Sequence, residues 1–216
     1  DMKELWEKFD QLSSKAYSDR ENNVQSMDNW DAGFAVLMEI VEKGRQKSRF
    51  FVRKLDQIDE STKGVHDVNG WMEDYLEELA VQEKYGQLEK VCGKLLELFD
   101  WDADSSDIKF QMATALASQG KQQEALKYCE EWYAQDGEDV TAATALIYAR
   151  IAVKDFAGAQ ELVDKYISAD GQCTEDNDVV YMAASLLYKV TGNKEAEEKT
   201  NQKLREYEQE LEKYFS

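Results

Sequence analysis

One outline recurs every 34 residues along this chain, and that recurrence limits its architecture more than any other feature. At this offset Val91, Ala125 and Ala159 coincide, as do Leu95, Cys129 and Val163, and then Leu98, Trp132 and Tyr166. Apolar positions four and then three residues apart mark one face of a helix. Asp102, Asp136 and Asp170 follow in register, then Ala103, Gly137 and Gly171, which mark a turn after that helix. Gly86 and Gly120 also coincide, each placed to open a helical stretch. Each unit is therefore a helix pair. A single pair cannot bury its apolar face, so successive pairs must stack and cover one another.

A period of this length resembles the tetratricopeptide repeat, whose pattern is W-x2-L-G-x2-Y, then A-x3-F, then P. The second unit reads Lys109-x2-Met112-Ala113-x2-Leu116, then Ala125-x3-Cys129, with Gly137 where the proline would stand. The third reads Ala143-x2-Leu146-Ile147-x2-Arg150, then Ala159-x3-Val163, with Gly171. The first is looser, Tyr75-x2-Glu78-Leu79-x2-Gln82 and then Val91-x3-Leu95. A fourth follows a longer loop and carries Val180, Ala183, Ala184, Leu187 and Ala196. The family's proline is missing throughout, and Arg150 stands where an aromatic or apolar residue is usual.

The resemblance implies an all-α, right-handed α-solenoid of antiparallel helix pairs over residues 67–216. Ala113, Ala125 and Ala159 would sit where helices approach most closely, and Gly120 and Gly192 would allow tight turns. "EAEEKTNQKLREYEQELEKYF" supplies a C-terminal capping helix, with Leu204, Tyr207, Leu211 and Tyr214 as its narrow apolar stripe.

Residues 1–66 fall outside the period and form a helical N-terminal extension. "LWEKFDQLSSKAY" places Leu5, Phe9, Leu12 and Ala16 on one helical face. "DNWDAGFAVLMEIVEKG" carries Trp30, Phe34, Leu37 and Val41 and is expected to stop at Gly44. "SRFFVRKLDQID" reads as a further helix with Phe51, Leu55 and Ile58. The whole chain has no proline, and about eleven helices and no strands are expected.

Charge narrows the partners. The net charge of −19 disfavours nucleic acid and anionic membranes, both of which need clustered Lys and Arg. Residues 67–216 hold 32 acids against 15 bases, whereas residues 1–66 are nearly balanced with 13 against 11. No apolar run approaches the length of a membrane span. Three cysteines without C-x-x-C spacing suit free thiols in a reducing, cytoplasmic setting.

No catalytic residue, cofactor site or metal site is read from the sequence. His66 is the only histidine, so neither a zinc site nor a nucleophile–base pair has its parts. Asp100, Asp102 and Asp104 alternate like the opening of a calcium loop, but Ser105 replaces the required glycine and Gln111 the bidentate Glu. Those residues read better as an acidic turn whose Ser105, Ser106 or Asp107 caps the next helix. "GKQQEAL" lacks the other residues of a phosphate loop. Cys92 and Cys129 hold core positions, while Cys173, in "DGQCTEDND", is the thiol expected to be exposed. "KGRQKSRFFVRK" has six bases and no acid, and is expected to line a helix turn and neutralise nearby acids, or else to meet an acidic partner.

The function the resemblance implies is non-enzymatic protein–protein interaction, a scaffold holding a protein or peptide segment in the concave groove. The first helix of each pair would line it, with Glu73, Glu77 and Ala80; Gln111, Thr114 and Ser118; Thr141, Ala145 and Tyr148; and Tyr181, Ser185 and Tyr188. Acids at one end and tyrosines beyond them call for a segment with basic side chains beside apolar anchors. Only Lys84 and Lys189 stand near, so a carboxylate clamp for chaperone tails is not expected. The alternative is the peptide-sensing half of a bacterial regulator.

Overall fold

The computed structural model describes residues 1–101 and 105–216, so Asp102 and Asp104 of the calcium-like run lie outside the described residues. Among the described residues the chain is all-helical, with no strand. None of these helices is long and apolar enough to cross a membrane. The chain forms two compact units, Asp1–Ser105 and Ser106–Ser216.

The first unit contains α1 (Met2–Glu21), α2 (Asp28–Lys47), the short α3 (Asp56–Ser61), α4 (Val68–Val81) and α5 (Tyr85–Leu98). The first helix pair, α4–α5, thus belongs to the same compact unit as the extension that precedes it. Its interior is aromatic. Trp30 lies against both Trp71 and Tyr75, and Phe9 meets Trp71 edge-on at 5.2 Å. Gly33 makes room for this, since a Cβ there would stand 3.0 Å from Trp71 Cζ2.

Phenols enter the same core with acid partners. Tyr75 donates to Asp31 Oδ1 at 2.8 Å, and Gln87 Nε2 donates to the same oxygen at 2.6 Å. Tyr17 donates to Asp74 at 2.6 Å, and Arg20 pairs with that carboxylate at 3.1 Å. Burial and then these carboxylates push both phenol pKa values far above 10.

Two sequence expectations change here. Helix α2 does not stop at Gly44 but runs to Lys47. The Phe51 ring occupies the space a Cβ at Gly44 would need, so this glycine serves packing rather than termination. Residues 48–55 form turns rather than a helix, which places Phe51 and Leu55 outside α3. The basic stretch is partly used by its own unit. Lys43 pairs with Glu39 at 3.1 Å and Arg53 with Asp100 at 3.3 Å, while Arg45 donates to the Val52 carbonyl and lies over the Phe99 ring.

The second unit contains α6 (Ser106–Ser118), α7 (Gln122–Gln135), α8 (Val140–Ala152), α9 (Phe156–Tyr166), α10 (Asp178–Thr191) and α11 (Lys194–Phe215). These make three consecutive pairs. Helices α6, α8 and α10 pack side by side, and each of α7 and α9 also packs on the helix that follows it. Ser106, the first residue of α6, donates its hydroxyl to Asp139, the N-cap of α8, so these two helices start together. Helix α8 is the centre: Ala142 to Ile147 are all buried without a break. Arg150, the departure from the repeat pattern, donates to the Gly158 carbonyl at 2.9 Å and so ties α8 to α9.

One backbone device closes the helix pairs. The amides of Lys84, Lys121, Asp155 and Asn193 bond the carbonyls five residues back, Leu79, Leu116, Arg150 and Tyr188, at 2.8–3.0 Å. In each case the preceding residue is left-handed: Glu83 at φ 57°, Gly120 at 81°, Lys154 at 64° and Gly192 at 74°. This is the Schellman arrangement, which satisfies carbonyls that the helix end leaves open. Gly86 is therefore not the counterpart of Gly120. It lies inside α5, and Glu83 makes the turn, so the turns stand 37, 34 and 38 residues apart.

The loop after α9 corrects the expectation for Cys173, which is buried at 7% exposure. Lys203 of α11 reaches back to donate to the Gly171 carbonyl at 2.6 Å, and Tyr181 donates to the same carbonyl. These bonds hold the loop down over the thiol.

Candidate functional site

Helices α6, α8 and α10 wall a groove of about 490 Å³ in the second unit, with α7 behind it. Alanines produce it. Ala113, Ala117, Ala125, Ala145, Ala149 and Ala152 reach too short a distance to fill the space between helix axes. Phe110 and Tyr148 stand edge to face across it at 6.5 Å, and Val179 and Met182 of α10 complete the wall. Among the described residues, no charged side chain lines this groove.

Its few polar groups are hydroxyls and one amide, from Thr114, Ser118, Gln122, Thr141, Thr144 and Tyr148. Thr144 is committed to the Val140 carbonyl at 2.7 Å. Burial raises the Tyr148 phenol pKa, so this hydroxyl enters the groove as a neutral donor. Cys129 lies at the floor, fully buried, and burial pushes its thiol up to about 12. Cys92, in the first unit, is pushed up to about 12 for the same reason. Neither thiol is poised as a nucleophile.

The groove collects some of the expected lining residues and leaves others elsewhere. Thr114, Ser118, Thr141, Ala145 and Tyr148 all line it. Gln111 is half-buried outside it. On α10 the lining is rotated. Tyr181 is buried with its hydroxyl on Gly171, Ser185 donates to Asn201 Oδ1 at 2.6 Å, and Tyr188 accepts from Gln160 at 3.0 Å. Val179 and Met182 take the places expected of these three. Glu73 and Glu77 belong to α4 of the first unit, where both are exposed and Glu77 lies 3.7 Å from Arg20. Ala80, on the same helix, is half-buried.

The residues that sequence reasoning missed had a signal. Counting back from the left-handed turn residues gives offsets of 34 and 38. That register aligns Phe110 with Thr144 and Met182, and Thr114 with Tyr148 and Leu186. Ser118, Ala152 and Val190 form the third row. The sequence register allowed a loop three residues longer before α10, whereas the turns require four, and one residue rotates a helix by about 100°.

Other constellations offer less. His66 stacks on Trp6 at 4.1 Å with its Nδ1 2.7 Å from Asp10, and so serves to hold its loop to α1. Lys165 donates to Tyr133 at 2.8 Å and lies over the rings of Tyr133 and Tyr166. Burial works against it, but the bonds from Lys165 and Tyr166 bring the Tyr133 phenol pKa down. No group of three or more His, Cys, Asp or Glu among the described residues could hold a metal ion. No family model, curated protein or solved structure matches this chain.

Proposed function

We propose that this protein is an interaction module, and that the second unit binds an apolar segment of a partner, flanked by basic residues, in the groove walled by α6, α8 and α10. One observation supports this reading most: an uncharged, half-open groove of about 490 Å³ set in a unit with 21 acids and 12 bases. Apolar walls with a few directional hydroxyls favour a segment that buries side chains and orients by one or two hydrogen bonds. The surrounding acids favour cationic flanks and speed their encounter. The tetratricopeptide resemblance leads to the same face, because it assigns partner binding to the first helix of each pair.

The test is a peptide array spanning basic, neutral and acidic apolar sequences, probed with wild type and with Tyr148→Ala. Binding of basic–apolar peptides that weakens about tenfold in Tyr148→Ala is expected, mainly through faster dissociation. Tightest binding to acidic peptides, or indifference to Tyr148→Ala, would send the search to another face.

A further inference from the structure

The apolar floor continues past the groove. On α10, Val179 is 38% exposed, Met182 55%, Leu186 38% and Val190 51%, although all four are large and apolar. Their spacing of three, four and four residues puts them on one helical face. Val179 and Met182 line the groove itself, and the turn register sets Leu186 and Val190 in the rows of Tyr148 and Ala152. Val179 to Val190 covers about 16 Å at 1.5 Å per residue, three helical turns.

The chemistry of this floor selects the form of its occupant. Every residue of it lies within a helix, where most backbone amides and carbonyls are paired along the helix and the amides of Thr141 and Val179 bond to Asp139 and Asp178 side chains. The floor offers no strand edge, and its polar side chains are too few to stand in for one. An extended segment would press unpaired backbone groups against apolar wall, which is costly. A helix arrives with those groups already satisfied.

Charge sets the occupant's direction. Asp107 and Asp178 stand in the first turns of α6 and α10, and Asp139 caps α8, with Glu138 before it in the chain. Of the bases around these starts, Lys109 is engaged with Asp136 at 3.6 Å and lies over the Trp132 ring, Lys165 donates to Tyr133, and Lys203 donates to the Gly171 carbonyl. That border of the groove is left acidic.

We infer that the occupant is an amphipathic helix of about three turns, apolar along one face and carrying Lys or Arg at the end beside Asp107, Asp139 and Asp178. This inference rests on the groove being the binding face. The probe is a fluorescent model helix of Leu and Lys, compared with the same peptide interrupted by two prolines and with a Leu/Glu version. Each is titrated into wild type, Leu186→Asp, Met182→Asp and Asp139→Asn, with circular dichroism as the check that the two exposed substitutions and the exchange at the α8 cap leave the fold intact. The Leu/Lys helix should bind and lose about tenfold or more on proline interruption, on Leu186→Asp and on exchange of Lys for Glu. Asp139→Asn should lower its association rate and flatten the salt dependence. If the interrupted peptide binds equally well yet still needs Met182, the helix is wrong and the groove reading stands. If the Leu/Lys helix binds all four proteins alike, or none, both this inference and the use of this face fall.

Discussion

The two units fill their interiors in opposite ways. In the first, Trp30, Trp71, Tyr75 and Phe9 occupy the space between helices, and phenols bring hydrogen-bonded carboxylates in with them. In the second, α8 presents Ala142, Ala143, Ala145 and Ala149, so helices approach closely but leave a groove where the short side chains face outward. Large rings bury much area per residue and demand specific partners. Small side chains give less burial and more shape, and shape is what a binding face requires.

The largest predicted effect attacks the aromatic side of this contrast. Trp30→Ala should cost about 3–5 kcal/mol, as expected for emptying a ring-sized space. Hydrogen exchange followed by peptide should then show protection lost across residues 1–105 and retained across 106–216. Equal loss in both would mean that the units unfold as one.

Next comes overpacking in the alanine-rich unit. Ala159, with no exposure, should resist Leu at a cost of about 1–3 kcal/mol. Ala125 occupies the matching place one repeat earlier but borders the groove, so Ala125→Leu should cost less and obstruct peptide binding instead. Chemical denaturation of both variants checks the order, and a reversal would place the groove wrongly.

Alkaline pH probes the phenol–carboxylate pairs of the first unit. A phenol whose folded pKa is raised contributes stability in full below the unfolded value of about 10, and that contribution is lost as pH climbs above it. The first unit should therefore destabilise from about pH 10 upward. Tyr75→Phe should flatten that slope, while costing about 1–3 kcal/mol near neutrality because Asp31 loses a donor. Unchanged alkaline melting in Tyr75→Phe would remove this phenol from the account.

The smallest effect treats the units alike. Glu83→Gly in one and Lys154→Gly in the other should each stabilise by about 0.5–1 kcal/mol, because a left-handed residue with a Cβ is strained and glycine is not. Thermal melts suffice to measure it. Destabilisation by either would mean that its side chain holds the turn.

Much of this was legible in the sequence wherever side-chain pattern carries the information. The faces of α1 and α2 follow directly from Leu5, Phe9 and Ala16 and from Trp30, Phe34, Leu37 and Val41, all of them buried. The pairs α6–α7 and α8–α9 follow from the 34-residue recurrence, which their turns at Gly120 and Lys154 keep. What escaped was set by backbone and by distant contacts. Nothing about Glu83 or Lys154 announces a left-handed turn, so Gly86 drew the register off by three residues. Gly44 looks like a stop until Phe51 is known to rest on it. Cys173 has acidic, polar neighbours in the chain, but Lys203, from 30 residues further on, closes the loop over it.

The bond that spans five residues at each pair closure has a kinetic consequence. A contact so short in sequence costs little chain entropy to form, and helix pairs whose main partners are their immediate neighbours have low contact order. Nucleation is then open to several starting points, and ordering can spread outward from whichever pair closes first. On the ribosome, such a chain has no need to wait for its last helix before its first pair takes shape.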